Sequence, residues 1–357
     1  MIIKKDEFVP VNDCIDLMKF ICAILVVVIH VAPIDAEFNL FNWWIQQYLA
    51  RIAVPFFFCA SGFFLFKKIK IETFDINVIL QYVKRMIRLY IIWSVIYLPF
   101  NIYDIMKSDD IMHSLLVLGR NTIFAGSYLH LWYLTASAFA VLLIGFLLSK
   151  KVKLCRIFVV SLFFYLVGLL GDSYFGILKL LQPFTPIWEG LKTIEKVICS
   201  TRNGLFFGFL FITMGVVLSY RDKKNSTKNS IIGFLASMLF MLVEATLVKW
   251  FDFALGGSNM YICLIPATWF LFCLVSNIEL KNSGVWITLR HMSSLVFYIH
   301  LWVAKIVKIF LIIVFDYDIV GKGYHFILTT GVSVLLAYII LRLSEYDKFK
   351  WLKRGYL

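Results

Sequence analysis

Again and again this chain runs apolar for about 20 residues, the length that carries a helix across the hydrocarbon core of a bilayer. Ten such runs lie at 14–34, 47–66, 82–101, 130–148, 154–171, 203–219, 230–250, 259–277, 293–315 and 324–343. No water-soluble core of this size could hide them. Hydrophobic residues make up 61% of the chain and its mean hydropathy is +0.85. Charged residues make up only 16%, against about 25% in soluble proteins. The expected fold is an all-α, polytopic membrane protein of about ten transmembrane helices, because helices satisfy their backbone hydrogen bonds within each span.

The loops orient it. With the N-terminus in the cytoplasm, 23 of the 35 Lys and Arg fall on the inner side and eight outside. The inner ones lie in Lys4–Lys5, Lys67–Arg88, Lys150–Arg156, Arg221–Lys228, Lys281–Arg290 and Arg342–Arg354. Positive charge is retained inside, so both termini are expected in the cytoplasm. The net charge of +13 is thereby topogenic, and no basic domain stands outside the membrane to bind nucleic acid. The longest non-spanning segments, 102–129 and 172–202, lie outside, which leaves residues 1–357 as a single integral-membrane domain. Lys19 interrupts the first apolar run and no small-x-small cleavage site follows, so that run reads as a retained helix. The seven cysteines show no metal-ligand spacing and act as small apolar fillers; no metal is expected.

Against this background the ionisable residues inside spans stand out. They are costly in lipid and usually face a cavity or a partner. His30 lies deep in the first span, eleven positions after Lys19. At ~100° and ~1.5 Å per residue both project from one helix face, about 16 Å apart. Asp16, one turn before Lys19, is the natural partner for that lysine. A neutral imidazole can serve as a general base near pH 7. The plainer alternative is a packing histidine bonded to a carbonyl.

Lys84, Arg85 and Arg88 open the third span at the same membrane surface as Lys19, and Arg85 and Arg88 share a face. Basic residues at a cytoplasmic helix end also arise simply as topogenic charges. Converging with Lys19, they would make a phosphate clamp, arginine forks being suited to phosphate oxygens. The outer half holds a second polar set: Arg51, Arg202, Asn203, Glu244, His130 and Lys305. Arg51 and Arg202 could snorkel to the outer interface; Glu244 and Lys305 lie deeper, where a mutual pair is one arrangement. His300 is a second buried histidine, and Ser61-Gly62 permits close helix approach.

Taken in order, these segments resemble the integral-membrane acyltransferase 3 family. The first helix, DCIDLMKFICAILVVVIH, is similar to the family's pattern of a basic residue, ten intervening residues and a histidine, with lysine where arginine is commoner. VPFFFCASGFFLFKK resembles its proline–aromatic–Ser-Gly segment, and its Arg-x-x-Arg motif falls on Arg85 and Arg88 in KRMIRLY. HLWYL (130–134) and SSLVFYIHLW (293–302) resemble further family stretches. TRNGLFFGFLFITMGVVL (201–218) is similar to the membrane half of vancomycin-resistance serine/alanine racemases, whose cytoplasmic racemase domain is not expected here.

The resemblance implies a multi-pass protein of the bacterial plasma membrane. It would transfer an acyl group from cytoplasmic acyl-CoA, acetyl-CoA foremost, to a cell-envelope glycan or small hydroxylated acceptor. It makes His30 the catalytic base and Lys19, Arg85 and Arg88 the donor-holding residues. A transporter of serine or another small amino acid is the alternative, and a scaffold or sensor without chemistry a third.

Overall fold

A computed structural model describes residues 12–34, 39–69, 75–186, 188–190, 193, 200–221, 225–254, 257–281, 283–315 and 323–357. Among them there is no strand. The helices are α1 (Asp13–His30), α2 (Asn39–Gln47), α3 (Ala53–Phe66), α4 (Ile76–Met106), α5 (Ile111–Phe124), α6 (Trp132–Ser149) and α7 (Leu154–Leu169). After the short α8 (Phe175–Lys179) come α9 (Gly204–Ser219), α10 (Thr227–Trp250), α11 (Leu264–Asn277), α12 (Gly284–Phe315) and α13 (Gly323–Leu343).

Six segments among the described residues are long and apolar enough to cross a membrane: Leu40–Phe66, which joins α2 and α3, and α4, α6, α10, α12 and α13. α7, α9 and α11 are apolar but shorter. α1 has 18 residues and carries Asp13, Asp16 and Lys19. It starts on the Asn12 side chain, which accepts from Ile15 N at 3.2 Å, and its two first-turn carboxylates suit the positive end of the helix. The second expected span is not one continuous helix; a 3-10 turn, Leu49–Ile52, breaks it. α4 and α12 are longer than their apolar runs, at 31 and 32 residues, because polar turns continue them past the hydrophobic stretch.

The exterior is apolar and the interior contains small polar groups. On α10, Leu239 and Phe240 are 60% and 65% exposed while Ser230, Ser237 and Ala245 are buried. In water that distribution would be inverted; in lipid, packing relies on small residues that let helices approach. α3 and α9 approach closely. A Cβ added at Gly62 would collide with the Ile212 carbonyl, and one at Gly215 with the Cys59 carbonyl. The expectation for Ser61-Gly62 is borne out. α1 lies in the middle, packed on α3 and α12, while α4 packs on α6. That places the two ends of α1 inside the bundle, where Lys19 and His30 can face cavities.

Candidate active site

At the end of the bundle where α1 begins, a cavity of about 340 Å³ is bounded by α1, α3, α4 and α12. Four cations line it: Lys19, Lys68, Arg85 and Arg290. Asp16, 1% exposed, sits behind two of them, with Lys19 Nζ 3.2 Å from one carboxylate oxygen and Arg290 Nε 3.4 Å from the other. The expected Asp16–Lys19 pair forms, and Arg290 completes it. Lys19 Nζ also lies 4.3 Å from the centre of the Phe64 ring, which fixes its direction. Four cations against one paired carboxylate leave this mouth strongly positive. Arg88, one turn beyond Arg85, is exposed and is not part of the lining.

A second, smaller cavity of about 50 Å³ lies deeper, bounded by His30, His130, Arg51, Arg202 and Asn259 among others. It has room for a few atoms of a reacting group, not for a whole acceptor. Tyr133 and Phe297 line both cavities. Their rings lie 5.6 Å apart, and Phe57 sits 6.2 Å from the first and 6.1 Å from the second. Tyr133 OH is held 3.0 Å from Ser61 Oγ on α3. Tyr133 and Phe297, with Phe57 beside them, thus form a waist where the two cavities meet.

His30 and His130 line the deeper cavity, and His300 packs against both. The His30 and His300 rings are 5.4 Å apart, and His130 is 5.1 Å from His300. His300 is fully buried; its Nδ1 lies 2.8 Å from Phe297 O and 3.2 Å from Val296 O. A carbonyl can only accept, so Nδ1 of neutral His300 carries the proton and Nε2 keeps a lone pair. That Nε2 and both ring nitrogens of His130 are buried with no hydrogen-bond partner among the described residues. Buried polar atoms without partners are rare, and on imidazole rings beside a cavity they are free to meet a reacting group. No group of three His, Cys, Asp or Glu among the described residues is arranged to hold a metal ion.

Arg51 and Arg202 form the far wall. Both donate to Asn259 Oδ1, at 2.6 and 3.3 Å, and Arg51 also donates to Gln47 Oε1. Asn259 is anchored by Asp172, whose carboxylate accepts from Asn259 N, Asn259 Nδ2 and Met260 N at 2.7, 2.9 and 3.0 Å. The remaining outer residues separate by role. Asn203 Oδ1 accepts from Leu205 N and Phe206 N and so starts the π turn Gly204–Gly208 at the head of α9. Glu244 accepts from Tyr174 OH, Ile262 N and Cys263 N at 2.7, 2.5 and 2.8 Å, which caps α11. Neither lines the histidine cavity, and Glu244 does not pair with Lys305. Lys305 instead stacks 4.1 Å from the centre of the Phe100 ring, in a third cavity beyond Trp132.

Two residues of this arrangement escape a reading of hydropathy. Arg290 falls in what reads as a loop, since the apolar run begins only at 293; helix α12 starts at Gly284 and carries it into the bundle. Tyr133 reads as an interfacial aromatic. The sole sequence signal for His300 is its burial in an apolar run.

Residues 12–342 match the acyltransferase 3 family, described as an acyltransferase domain. An amino-acid racemase of Enterococcus faecalis is 32% identical over 270 residues, covering 75% of this chain and 36% of that protein. A serine/alanine racemase of Enterococcus gallinarum is 30% identical over 266 residues, covering 74% of this chain and 37% of that protein. Another amino-acid racemase of E. faecalis is 28% identical over 342 residues, 93% of this chain and 46% of that protein. The chain spans less than half the length of these curated relatives. No solved structure matches it. The chain belongs to the acyltransferase 3 family, and its fold is that of a multi-pass membrane protein.

Proposed function

We propose that this protein is a bacterial plasma-membrane O-acyltransferase, moving an acyl group, acetyl in the simplest case, from cytoplasmic acyl-CoA to a hydroxyl of a cell-envelope or exported acceptor. In this reading ten spans leave both termini in the cytoplasm and the basic mouth faces the cytoplasm. Lys19, Arg85 and Arg290 hold the phosphates of the donor, the arginines by bidentate contact and the lysine as a point charge. The acyl end passes the waist of Phe57, Tyr133 and Phe297 and presents its thioester to the histidine cavity.

His30 removes the proton from the acceptor hydroxyl as that oxygen attacks the thioester carbonyl. The carbon–sulfur bond breaks, sulfur leaves as thiolate, and the proton on His30 passes to it. Nothing else is consumed. His300, its tautomer set by the Phe297 carbonyl, faces His30 and steadies the imidazolium that forms. Arg51 and Arg202 lie beside the cavity, where a developing oxyanion gains from a fixed positive field.

The observation that carries this reading is that Tyr133 and Phe297 belong to both cavities, so the phosphate-binding cations and His30 lie on one route. Family membership supports acyl transfer as its chemistry. Purified protein incubated with labelled acetyl-CoA and cell-envelope extracts tests it: label moves to an acceptor with the wild type and not with His30→Ala.

A second reading, transport of serine or another small amino acid, is favoured by the names of the curated relatives, amino-acid racemase and serine/alanine racemase. Reconstituted vesicles separate the two. Uptake of serine without consumption of acyl-CoA supports transport; acyl-CoA consumption without uptake supports the enzyme.

A further inference from the structure

Beyond the histidine cavity, on the side away from Lys19, lies a cavity of about 780 Å³. That volume is in the range of small-molecule sites, about 300–1,000 Å³. It shares Leu129, Trp132 and Arg202 with the histidine cavity, so it continues the route that begins at the basic mouth. Its roof is α5, a helix with no buried residue. Met112, Leu115, Leu116 and Ile123 are exposed, at helical spacing on one face, while His113, Ser114, Arg120 and Asn121 line the cavity from the other. An apolar outer face, and a cavity face that mixes these polar groups with Val117 and Leu118, suit a helix lying in the membrane interface.

The charge of the vestibule is one-sided. Among the described residues Lys305, Arg120 and Arg202 line it with one carboxylate, Asp104; Arg120 is already engaged, donating to Asn121 Oδ1 at 3.0 and 3.3 Å. Lys305 Nζ has no hydrogen bond or ion pair with a described residue; it is held over the Phe100 ring at 4.1 Å and near Tyr128 at 5.6 Å. Aromatic faces orient an ammonium but leave its N–H donors unspent. Arg202 contributes one bond, to Asn259, and keeps further donors. A half-buried lysine with no carboxylate partner among the described residues, beside an arginine with donors to spare, offers an anion its site.

We propose that this vestibule binds an anionic, hydroxyl-bearing acceptor, a sugar or polyol carrying a phosphate or carboxylate, with the acid group on Lys305, Arg120 and Arg202 and a hydroxyl directed past Trp132 to His30. The word acceptor rests on the acyltransferase reading; the anion site rests on the cations alone. Neutral sugars and neutral lipid headgroups are thereby poor ligands, which names a substrate class for this site.

The test is binding to the full-length protein in phosphatidylcholine nanodiscs, with no acyl-CoA present. Glycerol 3-phosphate and dihexanoyl-phosphatidylglycerol are the anionic probes; glycerol and dihexanoyl-phosphatidylcholine are their matches without net charge. Anionic probes should bind at least about tenfold more tightly. Lys305→Met, which keeps the aliphatic stack on Phe100, should cost about tenfold, as should Arg120→Gln. Lys308→Met, one turn away and outside the vestibule, should cost nothing. Tighter binding of the lipid probe identifies a headgroup as the source of the anion, and tighter binding of glycerol 3-phosphate a free acid; either supports the proposal. Equal affinity for charged and uncharged probes, or unchanged binding in both Lys305→Met and Arg120→Gln, overturns it. Because donor is absent, this binding is read independently of acyl transfer: anion binding here, together with no transfer in the labelled acetyl-CoA assay, would sink the enzyme reading and leave this one standing.

Discussion

His30 lines a small cavity and His300 is packed beside it, ring centres 5.4 Å apart, and among the described residues only His300 has its tautomer dictated by the backbone. With Nδ1 of His300 committed to the Phe297 carbonyl, its Nε2 is an acceptor with no partner. A base that gains a proton beside such a group gains a neighbour that welcomes the charge. His30→Ala should lower acyl transfer by about 10³-fold, within the range for loss of a general base, and leave acyl-CoA affinity near wild type. His300→Gln should lower the turnover rate by about tenfold or more with donor affinity unchanged. Single-turnover rates and donor binding, measured separately, check both; equal effects on the two quantities would mean a folding defect.

The basic mouth separates neighbouring arginines. Arg85→Ala and Arg290→Ala each remove a cation from the cavity lining and should weaken acyl-CoA binding by about tenfold. Arg88 is exposed, as Arg85 is, but lies outside that lining. Arg88→Ala should therefore change donor affinity less than twofold by calorimetry, while a loss as large as that of Arg85→Ala would require the donor to extend beyond the cavity.

Asp16 holds Lys19 and Arg290 together from a nearly inaccessible position. Removing the carboxylate leaves two cations facing each other, and breaking a buried pair costs roughly 3 kcal/mol. Asp16→Asn should lower the melting temperature of the detergent-solubilised protein by several degrees. Lys19→Met should cost less stability than Asp16→Asn, because Arg290 remains to pair the carboxylate.

The α3–α9 crossing depends on the absence of two side chains. At Gly215 an added Cβ meets the Cys59 backbone, which cannot rotate away, so Gly215→Ala should destabilise by about 1–3 kcal/mol. At Gly119 on α5 nothing lies within 4 Å. Gly119→Ala should be neutral or stabilise slightly, by up to about 1 kcal/mol from helix propensity. The same thermal assay reads both.

Much of this was legible in the sequence because lipid imposes a simple rule: a charge within an apolar run needs a reason. That rule finds Lys19, His30 and Lys305, and the Asp16–Lys19 pair follows from helical spacing. It fails where the reason is local. Glu244 reads as a site residue, yet its carboxylate is spent on the start of α11, and no one-dimensional pattern announces that two amides 18 and 19 residues away will reach it. It fails again where a helix outruns its apolar stretch, which hides Arg290. The amphipathic α5 lies in a segment too polar to register as a span. The waist at Tyr133 and Phe297 depends on three helices meeting, and so appears only in the folded chain.

The central claim is that one route through the bundle joins cytoplasmic acyl-CoA to an acceptor on the other side, with His30 between them. Proteoliposomes that contain the protein in one orientation, with labelled acetyl-CoA confined to the compartment facing Lys19 and envelope acceptor confined to the other, measure this directly. The account predicts label on the acceptor, one free CoA per acyl group moved, and no transfer with His30→Ala. Undiminished transfer by a folded His30→Ala protein, or label crossing with no release of CoA, would contradict it.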